Sequence, residues 1–361
     1  MFNAIKISGY KGIADLEIFK IPRILLIGGK NNVGKSSVLE AIFMTLDRMN
    51  PDLLSRHLSF RGVAGVPLTP DSWWRPIFSN YDLSKPIEIC LTDSRSKSLR
   101  FRVSHDPKFT AYNVQQPSVA QQIPPKTTSA STATPVQALH ISANYNNRSI
   151  QDSHLLIQQQ GFVFQVKHAE GLSFPGIYLS STTRSSPRED ASRFGQLDLD
   201  NKTGQILEVA QLIEPRITGL SVIALGEVAE IHATVQGLPR KVPISLMGDG
   251  VGRILSITLS LFSCSGGIVL VDEIENGLHH SKLAGFWTAI TNACIAANCQ
   301  LIATTHNYEC LSAASKSSAE IDKTCFAYVR LDRRKGNEKI VPVQYSGDEL
   351  AAALTSEFEV R

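Results

Sequence analysis

A stretch near the start of the chain, GGKNNVGKSS at positions 28–37, constrains the fold more than any other part of the sequence. It contains the pattern G-x-x-x-x-G-K-[ST], in which backbone N–H groups curl around an anion and a lysine reaches the outer phosphates of a nucleotide. The apolar run 23–27 before it predicts a buried strand, and the helical spacing of 37–44 after it predicts a helix. Because a helix N-terminus carries partial positive charge, strand, loop and helix together predict a phosphate cradle rather than a simple turn.

The residues of this cradle have separate expected roles. Lys35 is expected to bind the β- and γ-phosphates and to act in catalysis, and the Ser36 hydroxyl is expected to bind Mg²⁺. The other expected nucleotide contacts are Gly29, Asn31, Asn32, Gly34 and Ser37.

A second apolar run, at 266–271, ends in two carboxylates, Asp272 and Glu273. A buried parallel strand with this ending places both acids at the C-terminal edge of a sheet, where ligands bind in open α/β folds. Asp272 is expected to hold Mg²⁺ opposite Ser36, and Glu273 to orient and deprotonate an attacking water. An acid at a strand end is a weak signal alone, but a phosphate loop upstream needs an acidic partner for its metal ion.

A further apolar strand candidate, at 299–305, ends in His306. One helix, roughly 281–297, separates it from the two acids, and a right-handed crossover would place the two strand ends side by side or nearly so. His306 is therefore expected to hydrogen-bond the γ-phosphate or the attacking water, although a lone histidine is usually structural.

The composition is that of an ordinary soluble globular chain, with 43% hydrophobic and 19% charged residues. The net charge of +3 is too small to indicate nucleic-acid binding by bulk electrostatics, although it does not exclude binding through a local basic patch. The sequence has no apolar signal core and no apolar run of membrane-spanning length, so we expect a cytoplasmic protein without a membrane partner. The six cysteines contain no CxxC pair, which favours buried reduced thiols over a metal site.

The order of phosphate loop, Asp-Glu strand and His-ended strand makes the chain resemble the ATP-binding cassette (ABC) ATPases of the SMC, RecF and OLD (overcoming lysogenisation defect) group. The resemblance covers nearly the whole chain and includes Lys11, MGDGVGRIL at 247–255, VDEIENGLHHS at 271–281 and ATTHNYECL at 303–311. The segment 275–279 looks most like the OLD-type, or AAA15/AAA21-type, ATPases of bacterial defence systems.

This resemblance implies an α/β fold of the P-loop NTPase type, an ABC-ATPase head with a mixed or antiparallel β subdomain and a short helical insertion. Within a single domain over 1–361, residues 1–103 and 137–180 are expected to form the N-terminal β and P-loop lobe. Residues 219–361 are expected to form the lobe that carries the signature, the acids and the histidine. Residues 104–136 are expected to be a flexible loop, and 181–218 the short helical insertion.

The resemblance also implies a head-to-tail homodimer that encloses two ATP molecules. Gly248 and Gly250 stand where the signature segment belongs and are expected to contact the partner's ATP, whereas Ser245 is one place off the usual serine position. Many OLD nucleases carry a Toprim nuclease domain after the ATPase. Because 55 residues follow His306 here, a nuclease of that design is not expected.

Three functions remain open at this stage. The first is an ATPase switch that closes on ATP and controls a separately encoded effector or nuclease protein in anti-phage defence. The second is a RecF-like or SMC-like ATP-gated DNA-binding protein in DNA repair, against which the near-neutral charge and the short insertion count. The third, a small-molecule kinase, fits poorly because Glu273 and His306 are suited to activating water, which a kinase must exclude.

Overall fold

The structure, a computed structural model, describes residues 1–50, 52, 53, 56, 58, 60, 61, 66, 67, 69–111, 134–158, 161–181, 186–226, 228–333 and 339–355. Over these residues the strands are β1 Phe2–Tyr10, β2 Ile13–Ile18, β3 Ile24–Gly29, β4 Ile87–Asp93, β5 Ser98–Ala111, β6 Thr134–Tyr145, β7 Arg148–Gln158, β8 Gly161–Ala169, β9 Gly176–Leu179, β10 Ile217–Leu225, β11 Val228–Val235, β12 Val242–Pro243, β13 Ile268–Val271, β14 Gln300–Thr304, β15 Phe326–Arg333 and β16 Ile340–Ser346. The helices are α1 Lys35–Leu46, α2 Pro70–Trp73, α3 Pro187–Leu199, α4 Thr203–Ile213, α5 Asp249–Ser263, α6 Leu283–Ala296, α7 Tyr308–Ile321 and α8 Gly347–Thr355. Short 3₁₀ helices cover Arg75–Ile77, Ser79–Tyr81, Ile244–Leu246 and His280–Lys282.

The sheet that positions the candidate site has the strand order β16-β15-β3-β14-β13-β9. Strands β15, β3, β14, β13 and β9 run parallel, and β16 pairs antiparallel at one edge. All residues of β13 and β14 are buried, as expected for parallel strands covered on both faces. The carboxyl ends of β3, β14 and β13 therefore meet at one edge of this sheet.

Helix α1 lies between this sheet and a seven-stranded antiparallel sheet with the order β2-β1-β4-β5-β6-β7-β8. Both of its sides are covered, since every residue from Ser37 to Leu46 is buried. One apolar core joins α1 to both sheets and includes Trp74, whose side chain is fully buried. Trp74 therefore belongs to the core rather than to an exposed surface.

A second core lies on the opposite face of the parallel sheet, where α5, α6 and α7 pack against β3, β13 and β14. A third core joins α3, α4 and α5 to the small sheet β10-β11-β12. In the part of the chain that the structure describes, no helix is both long enough and apolar enough to cross a membrane.

The region interpreted as a flexible loop, residues 104–136, is partly a β-hairpin. Strand β5 continues to Ala111 and β6 begins at Thr134, with Ala111 paired to Thr134. The Pro-, Ser- and Thr-rich composition hid this extension, because strand pairing is made by backbone groups that every residue except proline supplies in full. Residues 112–133 lie outside the described residues.

Candidate nucleotide-binding and hydrolysis site

The loop between β3 and α1 has the backbone of a phosphate cradle. Gly29 and Gly34 have φ angles of 126° and 108°, in the region that favours glycine. A Cβ atom on Gly29 would collide with the Leu331 carbonyl oxygen on the neighbouring strand, so only glycine fits there. Gly34 is the N-cap of α1, and no side chain caps this helix end. The N–H groups of the first turn are thus directed at the space where an anion would bind.

Lys35 folds back over this loop. Its Nζ donates to the carbonyl oxygens of Gly29, at 2.8 Å, and Lys30, at 3.0 Å. Burial lowers the pKa of Lys35, and the nearby carboxylates, Glu273 first, act in the opposite direction. Because neutral carbonyls are weaker partners for an ammonium than an anion is, a phosphate in the cradle would compete well for this side chain.

The other expected contacts in the loop differ in exposure. Asn31 and Asn32 are exposed, and Asn32 has a left-handed backbone with a φ of 62°. Ser37 is buried in the first turn of α1, where its Oγ lies 3.4 Å from a guanidinium nitrogen of Arg61. Asn31 and Asn32 are therefore the residues of this group that solvent reaches freely.

The carboxylate of Asp272 is the point at which three elements converge. It is only 5% exposed. Its Oδ1 accepts from Ser36 Oγ at 3.0 Å and from Thr304 Oγ1 at 2.6 Å. Its Oδ2 accepts from Ser181 Oγ at 3.1 Å. Hydroxyl and carboxylate oxygens are the hard ligands that Mg²⁺ prefers, so Ser36 and Asp272 fit the expected metal ion and would hold it.

Glu273 and His306 follow neighbouring parallel strands, β13 and β14. Their side chains are 39% and 49% exposed, and His306 Nδ1 lies 3.8 Å from Glu273 Oε1. Asn276 Nδ2 donates to Glu273 Oε2 at 2.9 Å. The structure thus brings the Glu273 carboxylate and the His306 imidazole side by side at the sheet edge, as the order of the strands in the sequence predicted.

Glu275 anchors the backbone at His306. This carboxylate is buried, and its Oε1 accepts from Thr305 Oγ1 at 2.8 Å and from the His306 N–H at 3.1 Å. The Nδ1 of His306 is 3.5 Å from the same oxygen. Within the described residues, Oε2 of Glu275 is buried without a hydrogen-bond partner. The imidazole therefore stands between two carboxylates.

Gly248 and Gly250 lie apart from the phosphate loop, at the start of α5. Gly248 is the N-cap of this helix, has no neighbour that would meet a Cβ atom, and is exposed. Gly250 packs against the loop that follows the acids, where an added Cβ would lie 2.6 Å from the Gly277 carbonyl oxygen. Ser245 is exposed, and its N–H donates to Glu230 Oε1 at 3.3 Å. The structure therefore leaves Gly248 and Ser245 open to solvent and packs Gly250 against the loop that follows the acids.

Three residues around the acids were not identified from the sequence: Thr304, Ser181 and Arg253. Thr304 could have been identified from its position, since it lies two residues before His306 at the end of a predicted buried strand. Ser181 follows β9, the edge strand beside β13, and nothing in its sequence neighbourhood marks it. Arg253 NH1 donates to the Ser180 carbonyl at 3.0 Å, and NH2 donates to the Asp272 carbonyl at 2.7 Å.

Comparison with known protein families shows to which family the chain belongs. Residues 24–312 match the family described as "AAA domain, putative AbiEii toxin, Type IV TA system". The chain belongs to this family. It is a P-loop ATPase of mixed α/β fold, as the resemblance to ABC-type ATPases implied.

The similarity to known proteins extends over nearly the whole chain. An "ATP/GTP phosphatase" of Helicobacter pylori is 24% identical over 372 residues, which cover 97% of each protein. An Smc head domain derived from Pyrococcus furiosus, with an extended coiled coil and bound to the C-terminal domain of ScpA, has a TM-score of 0.50 at 11% identity and covers 99% of each chain. The SMC head domain from Thermotoga maritima has a TM-score of 0.47 at 13% identity, over 95% of this chain and 99% of that one. The P. furiosus structure shows that the fold is of the SMC-head type.

Proposed function

We propose that the chain is an ATP-driven switch, in which hydrolysis at the site described above changes its association with a second copy and with an effector protein. The observation that carries the proposal is the meeting of Ser36, Asp272, Glu273 and His306 at one sheet edge, beside an intact phosphate cradle. Lys35 and the cradle bind the phosphates of ATP, while Ser36 and Asp272 bind the Mg²⁺ ion, which neutralises charge on the phosphates when it is bound.

Glu273 is the proposed general base. One of its oxygens is fixed by Asn276, and the other lies beside His306 at the exposed side of the site, where a water can reach it. A carboxylate placed in this way accepts the proton of the attacking water, and His306 orients that water or donates to the γ-phosphate. Asp272 is ill suited to this task because its oxygens already accept three hydroxyl hydrogen bonds.

A second copy of the chain would complete the site. Glu273 and His306 are open to solvent on one side, and an ATPase gains control over hydrolysis by covering that side. The start of α5 offers such a cover. Gly248 is the N-cap of this helix, no side chain caps the helix N-terminus, and the N–H groups there suit an anion. Leu246, 75% exposed beside it, supplies an apolar contact for a partner surface. These features support a head-to-tail dimer in which Gly248 and Gly250 contact the partner's ATP.

The family supports a role in a defence-type system. Its description names a putative AbiEii toxin and a type IV toxin–antitoxin system, and the segment 275–279 resembles OLD-type ATPases of bacterial defence. The "ATP/GTP phosphatase" similarity supports hydrolysis of a nucleoside triphosphate as the driving reaction. We propose that the output is control of a separately encoded effector protein by the closed, ATP-bound dimer.

The dimer is tested by light scattering on purified Glu273→Gln protein in Mg²⁺-ATP. This variant keeps the cradle and loses the base, so we expect a dimer with ATP and a monomer without nucleotide. Lys35→Ala should stay monomeric in ATP, and Leu246→Asp in the Glu273→Gln background should weaken the dimer without changing the melting temperature. A Glu273→Gln protein that binds ATP and remains monomeric would refute the closed dimer.

The effector is tested by capture from the native host with tagged Glu273→Gln protein in Mg²⁺-ATP, with a nuclease-treated sample and a Lys35→Ala control. A protein recovered in stoichiometric amount after nuclease treatment, and absent from the control, supports the switch. Recovery of nucleic acid alone would contradict effector control and favour an ATP-gated DNA-binding protein.

A further inference from the structure

The backbone of Glu273 adopts a conformation that a residue with a side chain rarely takes. Its φ angle is 48°, in the left-handed region. Such a conformation persists only where the surroundings hold it, and it is concentrated at functional sites. The direction of the Glu273 carboxylate therefore depends on the contacts that fix the two peptide groups on either side of this residue.

Thr304 holds these peptides from one side. Its Oγ1 accepts from the Glu273 N–H at 2.8 Å, and its carbonyl oxygen accepts from the Ile274 N–H at 3.1 Å. Both contacts come from β14, the neighbouring strand. They leave the carbonyl group of the Asp272–Glu273 peptide to be held from elsewhere.

Arg253 holds that carbonyl from the opposite side. Its guanidinium bridges the carbonyl oxygens of Ser180, at 3.0 Å, and Asp272, at 2.7 Å. These oxygens lie just past the ends of neighbouring parallel strands, β9 and β13, and a planar guanidinium suits two acceptors side by side. The Nε of Arg253 is buried without a partner among the described residues, so the two terminal nitrogens make its hydrogen bonds there.

We infer that Arg253 is a positioning residue for ATP hydrolysis, which holds the Asp272–Glu273 peptide so that the Glu273 carboxylate stays beside His306. Arg253 acts through Glu273 and is not itself a contact of the reacting atoms, so this assignment rests on the proposed role of Glu273. Without it, the Asp272 carbonyl loses a charged donor and the left-handed turn at Glu273 can relax. Hydrolysis then slows, while ATP binding, which depends on β3 and α1, is preserved.

Helix α5 gives this contact a wider consequence. Arg253 lies five residues after Gly248, and Gly250 packs against the Gly277 carbonyl in the loop that follows the acids. The helix start proposed to meet the partner's ATP is therefore attached at two points to the loop that carries Glu273. A displacement of α5 at the partner's ATP would therefore be transmitted to Glu273 in the subunit to which α5 belongs.

The test compares Arg253→Met with Arg23→Met. Arg23 also donates to two backbone carbonyls, those of Cys294 at 3.1 Å and Cys299 at 3.4 Å, but at the amino end of the parallel sheet. Arg253→Met should lower kcat at least tenfold with the Kd for Mg²⁺-ATP within twofold of wild type, and Arg253→Lys should recover part of the loss. Arg23→Met should leave kcat within twofold. Equal kcat losses in the two methionine variants at equal melting temperatures would overturn the inference.

A double mutant separates positioning of Glu273 from any other role of Arg253. If Arg253 acts through Glu273, Arg253→Met in the Glu273→Gln background should slow the residual hydrolysis by less than twofold. A further tenfold loss in that background would overturn the inference while leaving the proposed base intact. Wild-type turnover by Glu273→Gln alone would instead refute the proposed base. Should Arg253→Met fail to fold, Arg253→Lys carries the same comparison.

Discussion

At the scale of single residues, Thr304 shows how one buried hydroxyl can hold two acidic residues with different proposed tasks. Its Oγ1 donates to Asp272 Oδ1 and accepts from the Glu273 N–H. The donated bond helps to keep the Asp272 carboxylate fixed towards Ser36, and the accepted bond helps to keep the Glu273 backbone turned. Both effects come from the side chain, so a residue of the same shape without a hydroxyl should lose them together.

We expect Thr304→Val to lower the hydrolysis rate at least tenfold and to cost about 1–3 kcal/mol of unfolding free energy, because buried polar groups lose their partner. The control is Thr291→Val on α6, where the hydroxyl is buried and has no hydrogen-bond partner among the described residues. The control should keep the wild-type rate and lose less than about 1 kcal/mol. Steady-state ATPase assays and urea unfolding measure both quantities, and an equal rate loss in the two variants would contradict the role given to Thr304.

At the scale of elements, an ion cluster connects the phosphate-loop helix to the turn between β1 and β2. Glu40 on α1 is 1% exposed. Its carboxylate accepts from Lys11 Nζ at 2.6 Å and from Arg61 Nε at 2.7 Å. Burial lowers the pKa of Lys11, and Glu40 acts to raise it. The sequence marked Lys11 only as part of a motif, whereas the structure shows that it anchors α1.

We expect Glu40→Ala to reduce the free energy of unfolding by about 1.5–3 kcal/mol, because Lys11 and Arg61 lose their charge-assisted hydrogen bonds to a buried carboxylate. The matched control is Glu88→Ala, which removes an ion pair with Arg102 at 2.8 Å between two half-exposed side chains. That pair should be worth about 0–1 kcal/mol. Urea denaturation compares the two variants, and a loss at Glu40 no larger than that at Glu88 would show that the cluster does not stabilise α1.

The same scale explains which elements the sequence predicted well. The strands before the phosphate loop, the acids and His306 are short apolar runs, and the helices after the phosphate loop and after the acids have clear helical spacing, so local pattern was enough. The extension of β5 and β6 was missed because its composition is polar. Ser181 and Arg253 were missed because they reach Asp272 from β9 and α5, and such contacts between distant segments leave no local signal.

At the scale of the whole molecule, the sheet order brings distant parts of the chain together at the proposed site. Strand β14 lies between β3 and β13, so the histidine-bearing strand separates the phosphate loop from the acids and touches both. Helix α5 packs on the same sheet and reaches the acids through Arg253. Segments from the first and the last third of the chain would therefore meet at a bound nucleotide, which suits the proposed switch.

The central claim is that Glu273 is the base for ATP hydrolysis, and the most direct measurement is phosphate release by Glu273→Gln at saturating Mg²⁺-ATP, alongside its Kd for the nucleotide. Glutamine keeps the shape and the contact to Asn276 but cannot take a proton. The expected result is a fall in turnover of about 10²- to 10⁴-fold with a Kd close to that of wild type. Turnover near the wild-type rate, in protein shown to bind ATP, would contradict the account.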